Sequence, residues 1–543
     1  MSASSKKKLR KEQEATMLTE RQQAALKEAK QTKMMTTAFV IGMVLILAIA
    51  ITVGVRQFIN NSGIRETNTT ALTINGHEVS NAELNYYFVD GINSFYSESG
   101  AYASLFGLDA TKPLDEQVYD EETGDTWADY FLESAKNTAK SVYAMNDAAK
   151  AEGFTLPEDY AANVDSIISN ISMYATLYGF TDAESYLKAM YGNGASVDGV
   201  TNYIEMSMMA EAYNNAHQES LTFTEEEIRA ADAENAHQYS AFSYNYYYLA
   251  ASRFLEGGTT DEEGNTTYSE EETAASIDAA KEAADSIVAA GIASVEDLDA
   301  AVAALPINAE AESVKSTAYT DNKYSSIDAD LAAWLTEAGR KTGDVAVVAN
   351  LDSTSEDNAV LGYFVVYFDS INDNTFALKN VRHILVSFQG GTEDEYGNTT
   401  YSDEEKAAAK TSAQEILDAW KAGEATEESF AALATEKSDD TGSVENGGLY
   451  ENIYPGQMVS AFEDWCYDDS RKVGDTGLVE TTYGYHVMYF AGDSEINYRD
   501  YQIETELTNA AQEEWYTGIL NAAEMTEGDI KYLSTDLVLS SNA

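Results

Sequence analysis

Cysteine, histidine and proline are scarce in this chain of 543 residues. The single cysteine, Cys466, excludes an intramolecular disulfide. Five histidines are present and none stands at ligand spacing from another, which excludes Cys/His metal clusters. We therefore expect no metal and no other cofactor. Apolar residues make up 44% of the chain, enough for several buried cores, and the length predicts three or four folding units.

Basic residues are also few, and they are unevenly distributed. The chain has 33 Lys and Arg against 92 Asp and Glu, a formal net charge of −59. Residues 1–33 hold nine basic and four acidic side chains, net +5, so the rest carries −59 − 5 = −64. A surface of this charge repels phosphates, and we expect no nucleic-acid partner.

Charged residues are absent from Met34 to Val55, a run of 22 residues. At about 1.5 Å rise per residue, this run spans the hydrocarbon core of a bilayer as a helix. The basic residues before it predict a cytoplasmic stem over residues 1–33, a transmembrane helix over 34–55 and an extracytoplasmic remainder. A cleaved signal peptide is the competing interpretation, but the run is long and lacks a small-x-small cleavage site.

After a linker over residues 56–70, residues 71–239 read as a helical module that begins with one strand at Ala71–Asn75. Ser80 with Glu83, and Thr224 with Glu227, have the spacing of helix capping boxes. The final region, residues 493–543, reads as a helix over Tyr501–Glu524 and a strand-like segment over Ile530–Ser540. We expect the apolar stripe of this helix to pack on the helical module.

Three sequence blocks occur twice, in the same order, which predicts two copies of one domain. Gly257–Glu271 resembles Gly390–Glu404, and the blocks around Trp334 and Trp465 are 131 residues apart. Gly362–Phe368 likewise resembles Gly484–Phe490, 122 residues later. The predicted copies are residues 240–372 and 376–492.

The second copy contains two strand-like runs that each carry a histidine, separated by helices and a Gly-rich loop. Its motifs together resemble the parvulin family of peptidyl-prolyl isomerases. The matching pieces are Arg382–Val386, Phe430–Leu433, Ser438–Asp439, Gly447–Gly448, Gly456–Met458, Phe462–Glu463 and Tyr483–His486.

This resemblance implies an α+β fold, a four-stranded antiparallel sheet wrapped by helices, with His383 and His486 side by side. It also implies a proline pocket lined by Met458 and Phe462, with Asp440 as a third catalytic residue. Thr481 and Tyr483 would complete the hydrogen-bond network of the histidines. From the residues alone each has a structural alternative: a histidine packed in a strand, an apolar helix face, or an aspartate that caps a turn.

The residue types suit the reaction. Rotation about an X–Pro bond crosses a barrier of about 18–20 kcal/mol that arises from amide resonance. An apolar pocket strips water from the amide and disfavours its polar planar form. We therefore expect the histidines to hold a hydrogen-bond network rather than act as nucleophile and base.

The first copy lacks this site. No histidine occurs between residues 238 and 382, and Phe364 stands where the second copy has His486. Tyrosines within Asn245–Leu249 stand where His383 is expected, with a one-residue ambiguity, and no Gly-Gln-Met segment is found. We expect a noncatalytic scaffold or client-binding domain.

The order of modules is similar to that of the SurA and PrsA foldases, whose amino-terminal helical half is a chaperone domain. The predicted function is an isomerase and chaperone for unfolded exported polypeptides with X–Pro bonds, at the outer face of the cytoplasmic membrane. A noncatalytic holdase and an envelope adaptor are the alternatives. A homodimer is left open.

Overall fold

The computed structural model describes residue 7 and residues 63–535, except 262–263, 312, 356–357 and 395–397. The predicted stem and transmembrane helix therefore lie outside the described residues, Lys7 apart. No helix within the described residues has the length and apolarity to span a bilayer. The described residues form two compact units, one built from residues 63–222, 440–448 and 508–535, the other from 223–439 and 449–507.

The first unit is a helical bundle with a small sheet. Its elements in chain order are α1 (Ile64–Asn68), β1 (Thr70–Ile74), β2 (His77–Ser80), α2 (Asn81–Ser99), a 3-10 helix (Gly100–Phe106), α3 (Trp127–Ala151), α4 (Glu158–Leu177), α5 (Ala183–Tyr191) and α6 (Val197–Ser220). One core joins the sheet to the helices, with Trp127, Tyr86, Phe88 and Phe131 among its fully buried side chains.

Two predictions for this unit were wrong. The residues after β1 form a second strand, β2, which pairs antiparallel with β1, so the helical part is preceded by two strands. The strand-like segment predicted over Ile530–Ser540 is not formed by its residues 530–535, and its residues 536–540 lie outside the described ones. A strand, β15, lies instead at Met525–Glu527. Leu72 pairs with Glu527, so β1 is the central strand of three. The expected linker contains the short helix α1.

The second unit starts with α7 (Glu225–Glu234), whose capping box of Thr224 and Glu227 is confirmed. A first four-stranded antiparallel sheet follows, in the order β6-β3-β8-β7. Its elements are β3 (Ala241–Ala250), α8 (Glu270–Ala289), α9 (Val295–Ala303), β6 (Thr317–Lys323), α10 (Ala329–Leu335), β7 (Val345–Leu351) and β8 (Val360–Asn372), with a hairpin of β4 (Thr259–Thr260) and β5 (Thr266–Thr267).

A second sheet repeats this topology in the order β12-β9-β14-β13. Its elements are β9 (Ala377–Ser387), α11 (Asp403–Ala422), α12 (Glu427–Lys437), β12 (Leu449–Ile453), α13 (Ser460–Cys466), β13 (Thr476–Glu480) and β14 (Gly484–Asn497), with a hairpin of β10 (Thr392–Glu393) and β11 (Thr399–Thr400). The last helix, α14 (Tyr498–Ala522), starts in the second unit and ends in the first.

The repeated glycine that opens β8 and β14 has a steric reason. A Cβ on Gly484 would lie 2.2 Å from the carbonyl oxygen of Val386, and one on Gly362 would lie 2.4 Å from that of Leu249. Both distances are far inside van der Waals contact, so only glycine lets these strands approach their neighbours. The glycine thus fixes where each central strand pair begins, and with it the positions of the side chains that follow.

Candidate functional site

Two histidines from adjacent central strands meet inside the second sheet. His383 on β9 pairs across from Met488 on β14, and His486 pairs across from Leu385. The histidines are therefore diagonal neighbours on one face of the sheet. Their Nδ1 atoms are 2.9 Å apart, and the side chains are buried, with 2% and 5% exposed.

The contact limits how protons are shared. A hydrogen bond between two Nδ1 atoms requires one to carry a proton and the other to accept it, so the two rings cannot both be protonated at Nδ1. The second nitrogen of His486, Nε2, lies 2.8 Å from the Oγ1 atom of Thr481. The backbone N–H of Tyr483 donates to the same Oγ1 at 3.2 Å. A chain of hydrogen bonds thus fixes the orientation of both imidazoles.

Aromatic rings enclose the pair. Phe462 on α13 stands edge-on to both histidines, with centroid distances of 5.5 Å to His383 and 5.3 Å to His486. Tyr450 on β12 stacks on His383 at 5.0 Å and an interplanar angle of 27°. The buried apolar cluster that supports these rings consists of Val381, Ile453, Phe462, Cys466, Val479, Met488 and Phe490. The imidazoles are therefore held in a largely apolar environment.

Met458 packs on this cluster, half-buried. The spacing of four residues between Met458 and Phe462 predicts that they share one helix face, and that prediction was wrong. Helix α13 begins at Ser460, so Met458 and Phe462 do not share a helix face. Gly456 has φ +85°, and Gln457 closes a turn by donating its N–H to the carbonyl oxygen of Tyr454. The turn delays the start of the helix beyond Met458, and the two side chains meet through tertiary packing instead.

Asp440 lies in the Gly-rich loop that belongs to the first unit. Its carboxylate accepts hydrogen bonds from the hydroxyl of Ser443 at 2.5 Å and from the N–H of Gly442 at 3.2 Å. These contacts are those of a residue that caps a turn. A catalytic role for Asp440 stays a prediction.

The side chain of Tyr483 is 63% exposed, and its contact with the histidine network is made by its backbone N–H. That contact does not depend on the tyrosine ring. Tyr450, by contrast, covers His383 and was not predicted as a site residue. The available signal was its position, because Tyr450 is the second residue after the Gly447–Gly448 motif.

The first sheet has aromatic rings at the positions of the histidines. Tyr246 pairs across from Val366, 122 residues before Met488, so Tyr246 takes the place of His383 in the ladder. This register resolves the one-residue ambiguity of the sequence. Phe364 lies 5.5 Å from Tyr246, in the place of His486, and Tyr319 stacks on Tyr246 at 6.0 Å. No imidazole pair exists in this copy.

Ile327 and Leu331 of the first copy lie 131 residues before Met458 and Phe462, and both pack against the equivalent core. The Gly-Gln-Met sequence is absent there, yet the apolar position of Met458 is retained by isoleucine. The first copy therefore keeps the apolar frame of the site and lacks its hydrogen-bonding centre.

The site lies within residues 370–492, which match the PPIC-type PPIASE domain family. Foldase protein PrsA 3 of Bacillus cereus is 46% identical over 70 residues, 13% of this chain and 24% of the relative. Chaperone SurA of Chromohalobacter salexigens is 38% identical over 109 residues, 20% of this chain and 21% of the relative. This chain thus spans about a quarter or less of the length of these two relatives.

A crystal structure of the peptidylprolyl isomerase PrsA from Bacillus cereus is 29% identical in sequence. The similarity covers 30% of this chain and 55% of that chain, with a TM-score of 0.17. The predicted resemblance is confirmed by the family match and by the PrsA and SurA relatives. Residues 370–492 therefore match the PPIC-type PPIASE domain family, in a chain that resembles the PrsA and SurA foldases.

Proposed function

We propose that the protein is a parvulin-type peptidyl-prolyl isomerase that assists the folding of exported polypeptides. The observation that carries the proposal is the contact of His383 and His486 beside Phe462, within the matched domain. Met458 and Phe462 would hold the proline ring, and Thr481 would orient His486.

The proposed reaction needs no covalent intermediate. A substrate amide loses resonance as it twists. Water stabilises the polar planar form, so a site that excludes water lowers the free energy needed to twist the amide. The buried imidazoles are suited to hold the geometry of the site and to donate or accept one hydrogen bond as the amide changes. Rotation about the amide breaks no covalent bond, so neither imidazole needs to act as a nucleophile, and the proposed role of the site is to stabilise the twisted amide.

We place the protein at the outer face of the cytoplasmic membrane, held by a helix over residues 34–55. The support is sequence alone: an uncharged run of 22 residues that follows nine basic side chains. Residues 71–239 and the first copy, residues 240–372, would bind clients, and the domain over 376–492 would isomerise their X–Pro bonds.

The test is a protease-coupled isomerisation assay with the full-length chain in detergent and a short X–Pro peptide. We expect the wild-type rate to exceed the uncatalysed rate, and the double variant His383→Ala, His486→Ala to lose most of that excess. If the wild type matches buffer, the isomerase proposal fails. Suppression of light scattering by an aggregating client then decides between the holdase and the adaptor alternatives.

A further inference from the structure

A group of large apolar side chains is exposed on the first unit. Phe106 is 63% exposed, Tyr119 47% and Tyr130 36%, and the 3-10 helix that carries Phe106 also exposes Tyr102 and Leu105. We call these five side chains the aromatic patch. Contiguous exposed apolar patches on a protein surface mark interaction sites.

The patch is fixed in place by the core below it. Tyr119 and Tyr130 lie 4.5 Å apart, and the ring of Phe95 lies between Phe106 at 6.3 Å and Tyr130 at 6.4 Å. Trp127, which is buried, contacts both tyrosines and Phe95. A ligand that binds these rings would not have to order them first, which lowers the entropic cost of binding.

Acidic residues are concentrated in the stretch of sequence that carries the aromatic patch. Val118 forms a β-bridge with Thr126, so residues 118–126 make a tight hairpin that carries Tyr119. The loop of this hairpin contains four acidic residues, Asp120, Glu121, Glu122 and Asp125. Residues 98–133 hold ten Asp and Glu against one Lys, net −9 over 36 residues. The whole chain carries −59 over 543 residues, so negative charge is more than twice as dense here.

We propose that the aromatic patch binds extended client segments in which aromatic or aliphatic side chains are flanked by lysine or arginine. The rings would take up the apolar side chains, and the acidic hairpin would attract the flanking cations. A second copy of this chain is a poor occupant, because it would bring the same negative rim against this one. The proposal rests on the proposed foldase function and names the client chemistry that it selects.

The test is fluorescence anisotropy with the full-length chain in detergent and three labelled peptides of equal length. One has a Phe/Leu core with Lys flanks, one the same core with Glu flanks, and one a Ser core with Lys flanks. We expect the first to bind most tightly, and less tightly as salt is raised. The double variant Phe106→Ser, Tyr119→Ser should weaken this binding about tenfold or more.

The matched control is Met173→Ser with Leu177→Ser on α4, which are 54% and 68% exposed and lie outside the patch. We expect this control to bind the Lys-flanked Phe/Leu peptide as the wild type does. The double variant Glu121→Gln, Glu122→Gln should bind the same peptide more weakly and with less dependence on salt. Equal binding of the Lys-flanked and Glu-flanked peptides would overturn the proposal. Wild-type peptide binding by the Phe106→Ser, Tyr119→Ser variant would also overturn it. So would a variant that loses self-association while its peptide binding is unchanged.

The isomerase assay on a short X–Pro peptide separates this inference from the proposed function. All patch variants should keep the wild-type isomerase rate, because the patch and the histidine site belong to different units. If the wild-type chain has no isomerase activity but its peptide binding still depends on the patch, the isomerase proposal fails and the patch proposal stands.

Discussion

The Nδ1 atom of His383 lies 2.9 Å from the Nδ1 atom of His486, although the residues are 103 positions apart in sequence. The two hydrogen-bonded imidazoles contribute to function as a pair, because the removal of one ring takes this hydrogen bond away from the other. We expect His383→Ala and His486→Ala each to lower kcat/KM by roughly 10- to 100-fold, corresponding to about 1–3 kcal/mol. The double variant should lose less than the sum of the two.

A double-mutant cycle on kcat/KM measures this coupling. The matched control is His77→Ala, which removes a half-exposed imidazole from the first unit and should leave the isomerase rate unchanged. Strictly additive losses would show that the two imidazoles act independently and would contradict the prediction.

The first copy should contribute nothing to catalysis, since Tyr246 and Phe364 occupy its histidine positions. We expect Tyr246→Ala in the full-length chain to leave kcat/KM for a short X–Pro peptide at the wild-type value. Any activity that remains when His383 and His486 are both alanine should likewise be unchanged by Tyr246→Ala. Residual catalysis in that double variant, removed by Tyr246→Ala, would contradict the prediction.

Tyr450 should determine substrate affinity through its ring, which stacks on His383. We expect Tyr450→Ala to raise KM and to lower kcat/KM about tenfold, because an aromatic contact of about 0.5–1.5 kcal/mol is lost together with burial. Tyr450→Phe keeps the stacked ring and should retain most of the activity. If the phenylalanine variant is as impaired as the alanine variant, the hydroxyl rather than the ring carries the effect.

Cys466 should be chemically inert in the folded protein. Burial raises the pKa of its thiol to about 12, so the reactive thiolate is nearly absent at pH 8. Since the folded pKa lies above the usual value, labelling should become fast only near pH 12 or after unfolding. Iodoacetamide labelling at pH 8, with and without denaturant, measures this, and fast labelling of the native chain would contradict the prediction.

Local sequence was sufficient for most elements of the second unit. The spacing of glycine and aromatic residues in the repeat placed Phe364 in correspondence with His486, and the strand register agrees with that alignment. The Thr224 capping box marked the start of α7, because its two hydrogen bonds lie within four residues. Such signals work where the partners are neighbours in the chain.

Contacts between distant segments were not readable in the same way. Tyr450 reaches His383 because β12 pairs with β9, a register that no local pattern of residues 449–453 specifies. Strand β15 has three residues and pairs with β1 from the other end of the chain, so its short sequence carried no strand signal. The predicted domain boundaries, and the roles assigned to Asp440, Met458 and Tyr483, remain predictions.

The pairing of Leu72 with Glu527 has a consequence for biosynthesis. A ribosome must add 527 − 72 = 455 further residues before the central strand of that sheet acquires its second neighbour. Both repeated sheets are complete in the nascent polypeptide earlier, and their partners lie closer in sequence. Translation therefore delivers both repeated sheets first, and the small sheet of the unit that carries the aromatic patch is completed last, once Glu527 has been made.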